Sequence, residues 1–362
     1  MYDKSPLGSI MVIGGCGNLG SRLVNTLLQR QLSSKLCVLD LNIPSNPNSK
    51  SLVTYHVCDI TQKEDVRSIF QKTRPHVIFH TASPPPMLKD LNLFLRVNVT
   101  GTRNLLECAQ EIGCVKVFVY TSSASVVHDA DGDLHNGDET YPLVFLPQQK
   151  EVYSHTKALA DQLVLASNRR GQMRTVSLRP SGIFGENDGL QVKALVDSAA
   201  AGKFKVQIGN GKNLFDFTYI DNLVDAEILA AQKLLNQSDS VPDEERVDGE
   251  AFTVTNDEPV PFWSYSRAIG AAAGYPTDET KIKTIPRWVG MVLATLVEWF
   301  VWVISFGRRR PVINTVVIKY STMERTYNID KIKKRLGYRP RVSMQEGIRR
   351  SGASFHKDKR DL

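Results

Sequence analysis

A tyrosine and a lysine in the stretch VYSHTK, together with a preceding serine, have the side chains needed to remove a proton from an alcohol. Tyr153 and Lys157 stand four residues apart and would share one face of a helix, and Ser123 closes the strand-like stretch VFVYTSS. A free tyrosine, with a pKa of about 10, is a poor base, but a nearby lysine ammonium favours the phenolate. A serine hydroxyl would orient the substrate oxygen and stabilise developing charge. We therefore predict Ser123, Tyr153 and Lys157 as catalytic residues.

A glycine-rich turn near the start of the chain predicts a dinucleotide site. Gly14, Gly17 and Gly20 form GxxGxxG between an apolar strand and an amphipathic helix. Glycine permits the tight turn and lets backbone N–H groups approach a pyrophosphate at the positive end of that helix. Asp40 ends the next strand, where a carboxylate accepts hydrogen bonds from ribose hydroxyls and repels a 2′-phosphate. We therefore predict NAD, rather than NADP, as the cofactor.

Alternating strands and helices would position these residues. Strands are predicted at 9–13, 35–40, 52–57, 76–81, 115–123 and 175–179, and helices at 18–30, 61–73, 89–112 and 150–169. Buried strands separated by helices are typical of a parallel, doubly wound sheet in an α/β fold. We predict a Rossmann domain over residues 1–185, and a smaller, mostly helical C-terminal substrate lobe over 186–362 that is interleaved with it.

These motifs resemble those of the extended short-chain dehydrogenases/reductases along nearly the whole chain. The matching stretches are GGCGNLG, CDI, HTAS, RVNVTGTRNLLECA, TSSAS, YSHTK and LRPSGIFG. Within that family the chain is most similar to the 3β-hydroxysteroid dehydrogenase branch and its sterol-4α-carboxylate 3-dehydrogenases (decarboxylating). The stretches that carry this closer likeness are DFTYIDNLVDAEILAA, FTVTNDEPVPFWSYSRAIGAAAG and YSTMERTYNIDKIKKRLGYRPRVSMQEGIRRS.

The resemblance implies a role for each matching residue. Ser123 aligns with the catalytic serine, Asp59 would touch the adenine, and Ala82 would line the cofactor cleft. Asn98 would lie near the nicotinamide half of the cofactor, and the loop at Pro180 would enclose that half. The implied cofactor-binding residues are Gly14, Gly17, Asn18, Leu19, Gly20, Asp40, Asp59, Ile60, Ala82, Asn98, Tyr153, Lys157 and Pro180.

The resemblance also implies the reaction. A 3β-hydroxyl group of a sterol or triterpenoid, in the first place a 4α-carboxysterol, would be oxidised to a 3-ketone, and the resulting β-keto acid would lose CO2. The alternatives are a plain 3β-hydroxysteroid dehydrogenase or an NAD(P)-dependent carbonyl reductase of a specialised metabolite. Asn18 and the stretch HDADGDLHNGD depart from the branch pattern and leave a specialised triterpenoid substrate open. Retention of both Tyr153 and Lys157 argues against a non-enzymatic Rossmann protein.

Residues 288–306, WVGMVLATLVEWFVWVISF, form an apolar segment that we expect to contact a membrane. As a helix it would be about 28 Å long, enough for a bilayer core, but Glu298 would be costly there. A span would also separate the following residues from the Rossmann half. Tryptophans beside Arg308, Arg309 and Arg310 favour a helix lying in the headgroup region, with a core helix of the lobe as the alternative. The predicted membrane-contacting segment is 286–307.

Positive charge is concentrated toward the end of the chain. The net charge is +7, yet residues from 281 onward hold 19 Lys or Arg against 6 Asp or Glu. Such an excess suits an anionic membrane surface or a set of solvated helix faces. The start of the chain lacks the pattern of a secretory signal, so we expect the protein at the cytosolic face of the endoplasmic reticulum membrane, with a cytoplasmic location as the alternative.

The remaining partner predictions rest on spacing and analogy. The scattered histidines lack ligand spacing, so no metal is predicted, and no nucleic-acid partner is expected. A homodimer and association with other sterol-pathway enzymes are expected by analogy with the family.

Overall fold

A parallel seven-stranded sheet is the centre of the computed structural model, which describes residues 6–44, 53–306, 311 and 314–356. In chain order the strands are β1 Ser9–Ile13, β2 Lys35–Asp40, β3 Val53–Val57, β4 Val77–His80, β5 Val117–Thr121, β6 Leu134–Gly137, β7 Arg174–Pro180, β8 Gly182–Phe184, β9 Val206–Ile208, β10 Leu214–Phe215, β11 Phe217–Tyr219, β12 Glu250–Val254, β13 Val260–Pro261, β14 Lys283–Ile285 and β15 Arg325–Tyr327. The large sheet has the order β12-β7-β5-β4-β1-β2-β3. The prediction of a doubly wound parallel sheet is confirmed.

Helices cover both faces of this sheet and build the lobe beside it. In chain order they are α1 Asn18–Gln29, α2 Lys63–Thr73, α3 Leu91–Phe94, α4 Thr102–Ile112, α5 Val152–Ala166, α6 Gln191–Ala200, α7 Ile220–Asn236, α8 Phe262–Ala272, α9 Arg287–Ile304, α10 Thr315–Thr322, α11 Asp330–Leu336 and α12 Met344–Ala353. The predicted helix at 89–112 is divided, because a π-helical stretch, Leu95–Gly101, joins α3 to α4.

Successive side chains of each strand point to opposite faces of the large sheet, so a hydrophobic core forms on each face. In β1, Ile10 and Val12 pack with α1, α7 and α11 on one face, while Met11 and Ile13 pack with α2, α4 and α5 on the other. These four side chains are at most 1% exposed. A strand buried on both faces must be apolar throughout, and this is the pattern that the sequence shows.

The lobe is built on a smaller sheet with the order β13-β10-β15-β6. Its aromatic core includes Phe184, Phe217 and Tyr265, and the rings of Phe217 and Tyr265 stack 3.8 Å apart. Strand β12 comes from beyond residue 185 but pairs with β7 of the large sheet, so the two parts of the chain interleave. The division of the chain near residue 185 stays a prediction.

Helix α9 leaves most of its apolar surface uncovered. Gly290 and Ala294 are its buried residues, whereas Trp288, Trp299 and Trp302 are 72%, 65% and 61% exposed. By length and composition this helix could cross a membrane. Of the predicted segment 286–307, residue 307 lies outside the described residues, as do Arg308, Arg309 and Arg310.

Candidate active site

The carboxyl edge of the large sheet brings the predicted residues together. Strands β1, β2, β4, β5 and β7 run parallel, so the turns that follow them open at one edge. The glycine turn follows β1, Asp40 ends β2, Ala82 follows β4, Ser123 follows β5 and Pro180 ends β7. Asp59 and Ile60 follow the outer strand β3. Catalytic and cofactor candidates therefore share one edge of the sheet.

The glycine turn is too closely packed for side chains at two of its positions. Gly14 has a φ of +78°, and a Cβ there would lie 2.7 Å from the backbone nitrogen of Ala82. A Cβ at Gly20 would lie 2.1 Å from the carbonyl oxygen of Gly14. Both contacts are with backbone, which cannot swing aside as a flexible side chain can. Glycine at these positions therefore lets the turn pack against the first turn of α1 and against the loop that follows β4.

The start of α1 suits an anion. Gly17 is the N-cap, no side chain caps the helix, and the first turn carries no acidic residue. Asn18 and Leu19 begin the helix, whose first N–H groups have no carbonyl partner within it. The positive end of a helix with such N–H groups is a ready site for a phosphate. The predicted pyrophosphate site therefore fits this turn.

Two carboxylates lie at this sheet edge, Asp40 at the end of β2 and Asp59 after β3. Asp40 Oδ2 accepts a hydrogen bond from the backbone N–H of Cys16 at 2.9 Å, which fixes the carboxylate against the glycine turn. Asp59 Oδ1 accepts from the N–H of Thr61 at 2.9 Å. Ile60 packs closely under Gly101, where a Cβ would lie 2.6 Å from Ile60 Cγ1. The Gly101 position thus keeps the π-helical stretch close to the loop after β3.

Buried polar groups continue along this edge. Asn98 is 1% exposed and its amide donates to Thr156 Oγ1 at 3.1 Å, which ties the π-helical stretch to α5. Its Oδ1 is buried and has no hydrogen-bond partner among the described residues. A buried acceptor without a partner is costly, so an incoming donor group would be favoured there. Pro180 is buried at the end of β7.

Ser123 and Tyr153 face each other. Burial raises the pKa of Tyr153 to about 12, while a hydrogen bond with Ser123 and the positive charge of Arg325 act in the opposite direction. The ring of Phe94 packs edge-on against that of Tyr153, with the centroids 5.8 Å apart. The phenol is thus held by one aromatic neighbour and one hydroxyl.

Lys157 is buried beneath the tyrosine. It is 2% exposed, and its Nζ donates to the carbonyl oxygen of Thr121 at 2.7 Å. Nζ lies 6.0 Å from the centroid of the Tyr153 ring. Burial lowers the pKa of Lys157 to about 7. In the chain alone, burial is the largest influence on the pKa of both Tyr153 and Lys157. That Lys157 favours the Tyr153 phenolate stays a prediction.

Two further serines extend this arrangement and were not predicted. Ser123 Oγ lies 2.8 Å from Ser125 Oγ, and Ser154 Oγ donates to Ser125 Oγ at 2.8 Å. The backbone N–H of Ser125 also donates to Ser123 Oγ at 3.2 Å. A hydroxyl has one donor and two acceptor positions, so Ser125 can accept from Ser154 and donate to Ser123. Ser123 then keeps its own proton for Tyr153 or for a substrate oxygen.

A buried carboxyl group on the other side of β5 was also missed. Glu227 of α7 is 0% exposed and accepts a hydrogen bond from Thr121 Oγ1 at 2.6 Å. Burial raises the pKa of Glu227 to about 7. Its sequence context is that of an amphipathic helix, which predicts no such contact. By contrast, Ser123 and Ser125 are two residues apart, and this spacing could have predicted the hydrogen bond between their hydroxyls.

Comparison with known proteins found similar sequences along nearly the whole chain. Residues 11–284 match the 3-beta hydroxysteroid dehydrogenase/isomerase family. A Candida albicans protein named sterol-4-alpha-carboxylate 3-dehydrogenase, decarboxylating, is 37% identical over 94% of this chain and 96% of its own length. Proteins of the same description from Saccharomyces cerevisiae and Mus musculus are both 35% identical, over 96% and 99% of this chain and 97% and 94% of their own.

Solved structures share the fold at lower identity. A Thermus thermophilus UDP-glucose 4-epimerase in complex with NAD has a TM-score of 0.68 and 22% identity, with 96% of this chain and 98% of that chain covered. A Bacillus anthracis dTDP-glucose 4,6-dehydratase in complex with NAD has a TM-score of 0.68 and 19% identity, with 96% of each chain covered. The resemblance inferred from the motifs is confirmed, and the chain belongs to the 3-beta hydroxysteroid dehydrogenase/isomerase family.

Proposed function

We propose that this protein oxidises the 3β-hydroxyl group of a 4α-carboxysterol to the 3-ketone with NAD+, and that the product then loses CO2. The observation that carries the proposal is the meeting of Ser123, Tyr153 and Lys157 beside a glycine turn at one sheet edge. Relatives with 35% to 37% identity over nearly the whole chain carry the name of this activity. The chain is an oxidoreductase of a family with that chemistry.

Each catalytic side chain has a distinct task. When bound, NAD+ would supply the hydride acceptor and a positive charge that favours the phenolate. Tyr153 Oη takes the hydroxyl proton of the substrate as the C–H bond at the same carbon breaks. Ser123 Oγ donates its one hydrogen bond to the substrate oxygen and so orients it and stabilises the developing charge. Lys157 is held beneath the phenol by the carbonyl of Thr121. Because its pKa is about 7, both its ammonium and its neutral amine form are populated near neutral pH.

Loss of CO2 needs no further catalytic group. Oxidation places a ketone next to the carbon that bears the carboxylate, giving a β-keto acid. Its C–C bond to the carboxylate breaks, CO2 leaves, and the electron pair passes to the ketone oxygen as an enolate that takes up a proton. The balance is one 4α-carboxysterol and one NAD+ to one 3-ketone, one CO2 and one NADH.

The preference for NAD over NADP rests on Asp40. Its carboxylate is fixed against the glycine turn by the Cys16 N–H at 2.9 Å. A ribose with two free hydroxyls can donate to such a group, whereas a 2′-phosphate would meet a like charge. We expect Asp40→Ala to narrow the difference in KM between the two cofactors.

Product analysis tests the proposed reaction. The purified protein is incubated with NAD+ and a 4α-carboxy-3β-hydroxysterol. The sterol products are identified by mass spectrometry, and the amount of NADH formed is measured in the same reaction. We expect a product that has lost CO2 and two hydrogens, with one NADH for each CO2. A stable product that has lost only two hydrogens would indicate a plain dehydrogenase, and absence of NADH would contradict the proposal.

We further propose that α9 lies on the surface of the endoplasmic reticulum membrane, at its cytosolic face. Gly290, Ala294 and Glu298 recur every four residues and so share one helix face. That face meets the lobe, because a Cβ at Gly290 would lie 2.9 Å from Ile208 Cγ2. Glu298 Oε1 accepts hydrogen bonds from the N–H and Oγ1 of Thr315 at 3.1 and 3.2 Å. The opposite face, with its exposed tryptophans, is left for lipid.

This orientation favours an interfacial helix over a span. The carboxylate that would be costly in hydrocarbon is instead bound at the start of α10, and the chain after it returns to the sheet through β15 and α11. A helix in the headgroup region would let a water-insoluble sterol pass from lipid into the lobe. A homodimer and association with other sterol-pathway enzymes remain predictions by analogy.

Flotation with liposomes tests the membrane contact. Replacing Trp288, Trp299 and Trp302 by Ser removes exposed aromatic surface from α9, so we expect the protein to stay with the soluble fraction. Leu190→Ser is the matched control, since Leu190 is 54% exposed elsewhere on the lobe. Equal flotation of the triple variant and the control would contradict the proposal.

A further inference from the structure

Arg325 is a buried cation without an acidic partner. It is 7% exposed, and it forms no ion pair with any Asp or Glu in the described part of the chain. The other buried arginine, Arg179, is 5% exposed and pairs with Asp161 at 2.5 Å. Buried charges are normally paired because removal from water is costly. The two arginines are about equally buried, yet among the described residues Arg179 has an acidic partner and Arg325 has none.

Aromatic rings surround the Arg325 guanidinium. Its central carbon lies 5.6 Å from the ring centroid of Phe215 and 5.8 Å from those of Tyr320 and Tyr327. Ring faces attract a cation, but more weakly than an anion does in a site shielded from water. The rings therefore form a pocket that accepts the cation and leaves it available to an anionic ligand.

Hydrogen bonds connect Arg325 to the catalytic loop. Arg325 Nε donates to Tyr327 Oη at 2.7 Å, and Tyr327 Oη donates to the carbonyl oxygen of Ala124 at 3.2 Å. Ala124 directly follows the catalytic Ser123. The charge of Arg325 also acts on Tyr153, where it favours the phenolate. Arg325 thus lies near the two residues that would hold the reacting oxygen.

A guanidinium is well suited to a carboxylate. Nε is committed to Tyr327, and the guanidinium also hydrogen-bonds Tyr320. The remaining N–H groups of the two terminal nitrogens can still bind both oxygens of one carboxylate. In the substrate class proposed above, the carboxylate is on the carbon next to the one that is oxidised. A carboxylate on that carbon would lie close to Tyr153 and Ser123, where the positive charge of Arg325 can compensate its negative charge.

We propose that Arg325 binds the carboxylate of the substrate and so selects 3β-hydroxysterols that carry an acid on the neighbouring carbon. This inference rests on the proposed function and names the residue that gives it its substrate specificity. Arg325 reaches the site from β15, which pairs with β6 and β10 in the sheet of the lobe. The C-terminal part of the chain thereby supplies specificity, while the Rossmann half supplies the reaction.

Two substrates and two variants test the assignment. The substrates are a 4α-carboxy-3β-hydroxysterol and its neutral methyl ester, and the variants are Arg325→Met, which keeps volume without charge, and Arg325→Lys. We expect kcat/KM for the acid to fall on the order of 10- to 100-fold in Arg325→Met and less in Arg325→Lys. The ester should fall at least about tenfold less than the acid, because it loses only the effect of the charge on Tyr153. Equal losses for acid and ester would overturn the assignment.

The same measurements separate this inference from the proposed function. Wild-type turnover of the acid to the decarboxylated ketone tests the function alone, whatever the variants do. Weaker NAD+ binding in Arg325→Met would assign the cation to the cofactor and overturn the inference. If Arg325→Met does not fold, wild type must still prefer acid to ester by at least about tenfold, and Tyr327→Phe must raise KM for the acid but not for the ester. Failure of either result would also overturn it.

Discussion

Ser123 Oγ lies 2.8 Å from Ser125 Oγ, so the hydroxyl that would contact the substrate is itself held by a second, buried hydroxyl. Ser125→Ala removes the donor that orients Ser123. We expect kcat to fall about fivefold, with KM nearly unchanged, because loss of one neutral hydrogen bond is worth about 1 kcal/mol. The pH at which kcat reaches half its maximum should also rise, because Ser123 would stabilise the phenolate less well.

Ser122→Ala is the matched control for this change. Ser122 is 2% exposed, and its Oγ has no hydrogen-bond partner among the described residues. The change Ser122→Ala removes a hydroxyl that takes no part in the hydrogen bonds among Ser123, Ser125 and Ser154. We therefore expect kcat and its pH profile to match wild type. Identical pH profiles for Ser125→Ala and wild type would show that Ser125 only fills space.

Lys157 should make stability depend on pH. Burial lowers the pKa of its ammonium from 10.5 to about 7, so between these values the unfolded chain binds one proton more than the folded chain. The free energy of unfolding should therefore rise with pH across this range, by up to about 1.4 kcal/mol per pH unit from this group. Lys157→Met cannot titrate and should lack this part of the rise. Denaturant unfolding at several pH values checks it, and parallel curves for the two proteins would contradict it.

Glu227 should act in the opposite direction. Burial raises the pKa of its carboxyl from 4.5 to about 7, so in this range the folded chain holds a proton that the unfolded chain has lost. The contribution of this group to the stability of wild type should fall as the pH rises from about 4.5 to 7. Glu227→Gln keeps an acceptor for Thr121 Oγ1 and cannot ionise, so its stability relative to wild type should be greater at pH 8 than at pH 5. If the difference in free energy of unfolding between the two proteins were the same at pH 5 and pH 8, the raised pKa of Glu227 would be contradicted.

Gly20→Ala should weaken cofactor binding. The new Cβ would lie 2.1 Å from the carbonyl oxygen of Gly14, so the turn must shift away from the start of α1. We expect the Kd for NAD+ to rise roughly tenfold or more, because the backbone N–H groups lose their approach to the pyrophosphate. Gly189→Ala is the control, since a Cβ there meets nothing within 4 Å. Cofactor titration by fluorescence, with thermal unfolding of both variants, measures the effect.

Local patterns were enough to predict which residues lie together at the carboxyl edge of the large sheet. Gly14, Gly20 and Asp40 are determined by a strand, a turn and a helix that are adjacent in sequence, and Tyr153 and Lys157 by one helical turn. Parallel strands then bring these local features to one edge, and this is why spacing alone predicted where they lie. The fold class followed from the same alternation of apolar strands and amphipathic helices.

Contacts between distant elements could not be predicted in this way. Arg325 lies about 200 residues after Ser123 and reaches the site only because β15 joins the sheet of the lobe. The direction in which burial moves the pKa of Tyr153 and of Lys157 could not be predicted either, since it depends on how deeply both side chains are buried. Burial of one side chain by another depends on tertiary packing, which residue spacing does not encode.

Hydride transfer by Tyr153→Phe tests the central claim most directly. The change removes one hydroxyl and keeps the ring that packs against Phe94 at 5.8 Å, so folding and NAD+ binding should be retained. With a saturating 4α-carboxy-3β-hydroxysterol, we predict that NADH formation falls by at least about 100-fold while the Kd for NAD+ stays within about twofold of wild type. NADH formation at the wild-type rate in this variant would show that Tyr153 is not the base.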